Sequence, residues 1–189
     1  MATTIYFVRH AHSVYTPDEL ERPLSDKGFA DRDQITEVLA GENIDVFLSS
    51  PYLRAVQTIE GAADYYGKKI QHIEDFKERT LTEAPAADFQ TVISKAWEDW
   101  TFSWEGGESN LAAQDRGVQS LLKVLEEYKE KNVVIGTHGN LMVLIMNYFD
   151  QVYDFEFWKR LEMPDIYKMT FNGKQFIDCQ RKMETRIKN

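Results

Sequence analysis

The sequence predicts an α/β fold, and three observations carry the prediction. Apolar runs rich in strand formers alternate with stretches of helical periodicity, which is the grammar of strand and helix layers. Three of the apolar runs end in polar, reactive residues: Val8 leads into Arg9 and His10, Leu48 into Ser49 and Ser50 with Arg54 just beyond, and Ile135 into Thr137, His138 and Gly139. The 189 residues contain no internal repeat, low-complexity block or Pro/Gly/Ser linker, so a single domain over 1–189 with one sizeable core is expected.

Taken in order, residues 5–8 form the first strand. A helix over about 28–40 follows "LSDKG", with Ile35, Val38 and Leu39 sharing a face. Residues 45–50 form the second strand, and "SSPYLRAVQT" turns into a helix with Ser50 as N-cap and Pro51 in the first turn. The third strand is 69–73, in which His72 reads as structural. An irregular stretch over 74–85 precedes an amphipathic helix over 88–100, and the aromatic group Trp97, Trp100, Phe102 and Trp104 reads as core or lid packing. A loop over 104–109 leads into a long helix ending near 128, with Glu108 and Ser109 as capping residues. "NVVIGTHGN" repeats the opening strand pattern, and Asn172-Gly173 marks a terminal hairpin.

Composition narrows the function. A net charge of −9 opposes nonspecific nucleic-acid binding, which needs an excess of Lys and Arg. One cysteine, Cys179, cannot form an intramolecular disulfide and offers no cluster of soft metal ligands, so a reducing cytoplasmic setting is expected. The first ten residues lack the pattern of a secretory signal, and the longest apolar run, 141–149, is interrupted by Asn147 and too short to cross a bilayer. No membrane partner is expected.

In open α/β sheets ligands bind outside the carboxyl ends of the strands. If the three strands are parallel neighbours, two histidines and two arginines meet at one rim. Guanidinium groups match two phosphate oxygens at once, and Arg54 in a first helical turn adds the helix dipole. A neutral imidazole is a nucleophile. Phosphoryl transfer through a phosphohistidine at His10 is therefore expected, with Arg9, Arg54 and a protonated His138 neutralising charge and no metal or other cofactor required.

"VRHAHS", "LSDKG", "SSPYLRAVQT", "GGES" and "VVIGTHGN" occur in order and at suitable spacing. In these motifs the chain resembles the histidine phosphatase superfamily, the phosphoglycerate-mutase-like fold, over Tyr6 to Asn140. The resemblance implies a three-layer α/β/α architecture with a mostly parallel sheet. It implies His10 as nucleophile, Arg9 and Arg54 as phosphate holders, and His138 as the residue completing the pocket. It also implies an acid after the third strand, for which Glu78 in "DFKERTLTE" fits best, with Glu74, Asp75 and Glu83 as competitors. His12, Ser13, Gly139 and Asn140 are candidate substrate contacts, His12 being equally compatible with an exposed position. The chain departs from the family pattern at Ala11, where Gly is usual, at His12, and after Glu78. Arg79, Arg22 and Lys27 read as solvated or paired with Glu21, Asp26 and Glu78.

These features lead to a metal-independent phosphomonoesterase of histidine acid type, acting on a small phosphorylated metabolite. A mutase-type phosphotransferase and a non-catalytic phosphoryl-binding module are the alternatives. Oligomeric state is open, a homodimer through the terminal strands being one arrangement. Ordinary values of about 6.5 for His and about 4.3 for Glu, with Glu78 raised by burial, place the activity optimum on the acid side of neutral.

Overall fold

The computed structural model describes residues 2–83 and 88–184; the end of the expected irregular stretch lies outside them. Six strands, β1 (Thr3–Arg9), β2 (Val46–Ser49), β3 (Ile70–His72), β4 (Asn132–Thr137), β5 (Asp165–Asn172) and β6 (Gln175–Arg181), form one sheet in the order β3-β2-β4-β1-β5-β6. β3, β2, β4 and β1 are parallel neighbours, whereas β5 runs antiparallel to β1 and β6 antiparallel to β5. The sheet is thus mostly parallel with an antiparallel hairpin on one side. Gly173 takes φ of 58° in the hairpin turn, a conformation that glycine adopts without a Cβ penalty.

Successive residues of a strand point to opposite faces, and β1 shows why it reads as an unbroken apolar run. Ile5 and Phe7 join a core with Leu121 and Val124 of α4 (Asn110–Glu127) and Leu141 and Leu144 of α5 (Gly139–Phe149). Tyr6 and Val8 join a second core with Ile35 and Leu39 of α1 (Asp26–Ala40) and Ile59 and Ala62 of α2 (Leu53–Tyr65). Both faces are covered, and each fully buried Leu, Ile or Phe contributes about 1.5–3 kcal/mol relative to exposure.

Ser25 caps α1 through a bond from Gly28 N, Ser109 caps α4 through one from Ala112 N, and Asp88 caps α3 (Phe89–Glu98). Ser50 does not cap α2. The N-cap is Tyr52, without a side-chain bond, and the Ser50 hydroxyl accepts from Tyr52 N at 3.2 Å and meets His138 Nε2. The aromatic group is packing, as expected: Trp97 is buried, meets Trp100 edge-on and stacks on Phe155 at 5.5 Å, the first residue of α6 (Phe155–Arg160). His72, by contrast, is exposed. Among the described residues no helix is long and apolar enough to cross a membrane.

Candidate active site

Parallel alignment of β1, β4 and β2 puts their carboxyl ends side by side, so Arg9, His10, Ser50 and His138 share one rim. β3 delivers the segment carrying Glu78 to the same rim, where Phe76 C=O accepts from Thr137 Oγ1 at 2.8 Å. Four of the chain's short motifs are joined by topology alone.

His10 has its backbone N–H bonded to Thr137 C=O at 3.0 Å, and its Nδ1 lies 2.7 Å from Ala11 C=O. A carbonyl only accepts, so Nδ1 carries the proton and Nε2 carries the lone pair. Arg54 Nε–H points at that nitrogen from 3.3 Å, and the His138 ring stands edge-on at 5.2 Å. Burial and then the Arg54 charge push the His10 imidazole down to about 3, against the bond to Ala11, which favours protonation. His10 is therefore neutral through the whole neutral range, and the acid limb expected near its ordinary value does not come from this residue. Ala11 replaces a glycine of the family pattern without strain, since it lies outside the left-handed region and its N–H donates to Thr58 Oγ1 at 2.9 Å.

His138 is fully buried, with Nε2 2.8 Å from Ser50 Oγ and the Tyr52 ring at 5.0 Å. Burial, reinforced by His10 and by Arg54 and Arg9, holds its imidazole well below the ordinary value. Without an anion in the site it is neutral, whereas the expectation of a protonated His138 concerns the site holding a transferring phosphoryl group. Two arginines beside a buried imidazole leave no room for a third positive charge until an anion arrives.

Arg9 Nη1 donates to the carbonyls of Leu161 at 2.9 Å and Glu162 at 3.1 Å. Its guanidinium crosses Gly139, where a Cβ would come within 2.7 Å of Nε, so glycine is required by this close approach. Arg54, 3% exposed, stacks on Tyr52 at 4.9 Å and donates through Nη1 and Nη2 to the backbone carbonyl and carboxylate of Glu19, both at 2.9 Å.

Glu78 sits at the start of α5. Its Oε1 accepts from Arg79 N at 2.9 Å and Leu141 N at 2.9 Å, and its Oε2 from Asn140 N at 3.1 Å. Three backbone N–H groups thus hold this carboxylate at the N-terminal end of α5. Arg79, expected to be solvated or paired with Glu78, is 4% exposed and donates from Nη1 to Asn110 Oδ1 at 2.5 Å. With the amide oxygen of Asn140 turned toward it, Arg79 also donates to that oxygen from Nε at 2.7 Å and Nη2 at 3.1 Å. Lys27 pairs with Asp31 at 2.5 Å and Arg22 with Glu19, rather than with Asp26 and Glu21.

Two cavities open beside these groups. One of about 170 Å³ is lined by Arg9, Glu78, Arg79 and Asn140 with apolar Leu81, Ile93 and Trp158. The other, about 400 Å³, is lined by Arg22, Arg54, Glu78, Arg79 and Tyr52 among others. A larger hollow of about 550 Å³ between Trp97, Trp100 and Glu156 contains none of the predicted site residues. Of the candidate contacts, Asn140 lines a cavity, and Gly139 makes room for Arg9. His12 and Ser13 line neither. The chain doubles back after Ala11, so His12 Nδ1 lies 2.8 Å from Ser25 Oγ and Ser13 pairs with Leu24.

One positioning residue had no visible signal in the sequence. Arg116 of α4 forks onto Glu108, with Nε and Nη2 each 2.8 Å from a carboxylate oxygen. Its Nη1 donates to the carbonyls of Asp75 at 2.7 Å and Lys77 at 3.2 Å, bracing the turn just before Glu78. Glu108 is thus the anchor of that brace, not a cap.

Comparison with known proteins places the fold and the family. A protein of Hydrogenobacter thermophilus named "Putative phosphoserine phosphatase 2" is 23% identical over 155 residues, covering 75% of this chain and 76% of that protein. The solved phosphoserine phosphatase of Entamoeba histolytica in complex with 3-phosphoglyceric acid has a TM-score of 0.79 at 18% identity, over 96% of this chain and 98% of that one. Mycobacterial glucosyl-3-phosphoglycerate phosphatase superposes with a TM-score of 0.76 at 17% identity, over 96% and 97% of the two chains. These likenesses concern the fold. Residues 5–177 match the family described as the histidine phosphatase superfamily (branch 1), and the chain belongs to it.

Proposed function

We propose that this chain is a phosphomonoesterase of histidine acid type that hydrolyses a small phosphorylated metabolite through a phosphohistidine at His10, without a metal. The observation that carries the reading is the His10 tautomer. Nδ1–H is held by Ala11 C=O, so the Nε2 lone pair faces the arginine-lined side of the site.

In the first step Nε2 attacks phosphorus, the N–P bond forms, and the ester O–P bond breaks as the leaving oxygen takes a proton from Glu78. In the second, water attacks the phosphohistidine and gives its proton to Glu78, returning neutral His10 and phosphate. Arg9 and Arg54 balance charge on the transferring group, and His138 beside them takes a proton from solvent as the anion arrives and returns it to solvent as phosphate leaves. Family membership and phosphatase-named relatives support hydrolysis over re-transfer.

The test is hydrolysis of an aryl phosphate in the presence of a chelator by wild type and His10→Ala. Activity that survives chelation and is abolished in His10→Ala, with acid-labile phosphate trapped on the wild-type protein, is the expected result. Equal activity in the two proteins overturns the reading.

A further inference from the structure

Arg54 presents one planar edge, Nε–H and Nη2–H, toward the site, and its own chain occupies both donors. Nε meets His10 Nε2 at 3.3 Å, and Nη2 meets Glu19 Oε2 at 2.9 Å. Such an edge is the fork that grips two oxygens of a phosphate. The Glu19 carboxylate therefore lies beside the nucleophilic nitrogen, where an oxygen of the transferring group has to be held. Its other oxygen, Oε1, is bound by Arg22 Nη2, so one carboxylate bridges two guanidinium groups next to His10.

Arg22 is fixed for such a role. Nη2 also donates to Thr16 C=O at 3.0 Å, the guanidinium lies over the Tyr15 ring at 4.8 Å, and Arg22 lines the same cavity as Arg54 and Glu78. Its Nε is buried without a hydrogen-bond partner among the described residues. A buried guanidinium N–H of this kind is costly to leave unmade. The Arg22 charge is also among those that hold His10 neutral.

We infer that Glu19 is an internal anion occupying an Arg22–Arg54 clamp in the resting enzyme, and that the substrate phosphoryl group displaces it and takes both guanidiniums, making Arg22 a third phosphate-binding residue. The inference rests on the phosphatase reading of the site. Glu19 is well placed to leave: its side chain is 50% exposed, and it belongs to the short turn between Thr16 and Arg22. Only the Glu19 end of the pair is half-exposed while Arg54 is buried, so the displacement is feasible because the incoming anion replaces the carboxylate on the buried guanidinium. The return of Glu19 after hydrolysis then competes with inorganic phosphate and assists its release.

The experiment measures inorganic phosphate binding by calorimetry, and its inhibition of aryl phosphate hydrolysis, for wild type, Glu19→Gln, Arg22→Gln and Glu21→Gln. Glu21→Gln removes the same charge from the same turn with no guanidinium partner described. Glu19→Gln is expected to bind phosphate about two- to fivefold tighter and to be inhibited more strongly, as removal of a half-exposed competing carboxylate allows. Arg22→Gln is expected to bind it about tenfold weaker or worse, in line with loss of a charge-assisted bond. Glu21→Gln should follow wild type. Weaker or unchanged phosphate binding in Glu19→Gln overturns the inference, as does an unchanged affinity in Arg22→Gln or an equal gain in Glu21→Gln. Wild type that hydrolyses aryl phosphate through His10 while the variants behave so overturns this inference alone. Wild type that neither binds phosphate nor hydrolyses the ester overturns the phosphatase reading with it.

Discussion

At the scale of single residues, the proposed mechanism divides the chemistry between two side chains, and their surroundings differ accordingly. A proton locked on the far nitrogen and burial that keeps the ring neutral suit His10 to the proposed role of nucleophile. Glu78 instead faces backbone N–H groups of Arg79, Asn140 and Leu141, which hold the carboxylate in one place. If Glu78 serves as acid in the first step and base in the second, Glu78→Gln lowers turnover of an alkyl phosphate by about 10²- to 10⁴-fold, the usual worth of a positioned acid or base. An aryl phosphate with a good leaving group needs little protonation, so its first step survives in that variant and phosphohistidine accumulates on His10. A stopped reaction that shows no accumulation and equal losses on both esters would assign the proton transfer to another group. The cluster of Arg9, His10 and His138 is legible in the sequence because such residue types are scarce at strand ends. Arg79 was misread because an acid stands next to it in sequence, whereas its side chain turns inward to Asn110 and Asn140.

At the scale of elements, the strands and the capped helices follow from local pattern, and α5 does not. Residues Gly139 to Met146 are all buried, so this helix shows a continuous apolar run with no polar face to reveal its period. Its role is nevertheless central, because its first-turn N–H groups hold Glu78 and its glycine admits Arg9. The Arg116 brace was equally hidden, since it links α4 to a turn about forty residues away through backbone carbonyls, which carry no sequence signal. The brace predicts a graded result. Arg116→Met frees the turn before Glu78 and lowers kcat on alkyl phosphates by about 10- to 100-fold, as small misplacement of a catalytic group does. KM and aryl phosphate turnover change much less. Arg116→Lys keeps one donor but not the fork onto Glu108, so it falls between the two. Equal losses on alkyl and aryl esters would show that Arg116 supports only the fold.

At the scale of the whole molecule, the sheet order is what turns scattered motifs into a site. Placing β4 between β2 and β1 brings His138 between Ser50 and His10, a neighbourhood that spacing along the chain does not specify. The sequence supported the rim only on the condition that the strands be parallel neighbours; long-range pairing decides that condition, and no local pattern encodes it. The same burial has a consequence for stability. His10 and His138 both have imidazoles lowered in the folded state, His10 to about 3 from 6.5, with burial the largest cause in each. Below about pH 6.5 the unfolded chain takes up these protons while the folded chain does not, so the unfolded state binds more protons and stability falls as pH falls. The contribution is fully present above the ordinary histidine value and is lost progressively toward the folded-state value of His10. Between about pH 6.5 and about pH 5 the exposed carboxylates remain ionised, which leaves histidines as the main groups titrating in that window. The urea midpoint of wild type is therefore expected to be lower at about pH 5 than at about pH 7.5, and the drop to shrink in His138→Gln, where one buried imidazole is gone. A midpoint that stays constant across this range in wild type would mean that the two rings take up protons in the folded protein as readily as in the unfolded chain, and the neutral, nucleophilic state of His10 would lose its physical basis.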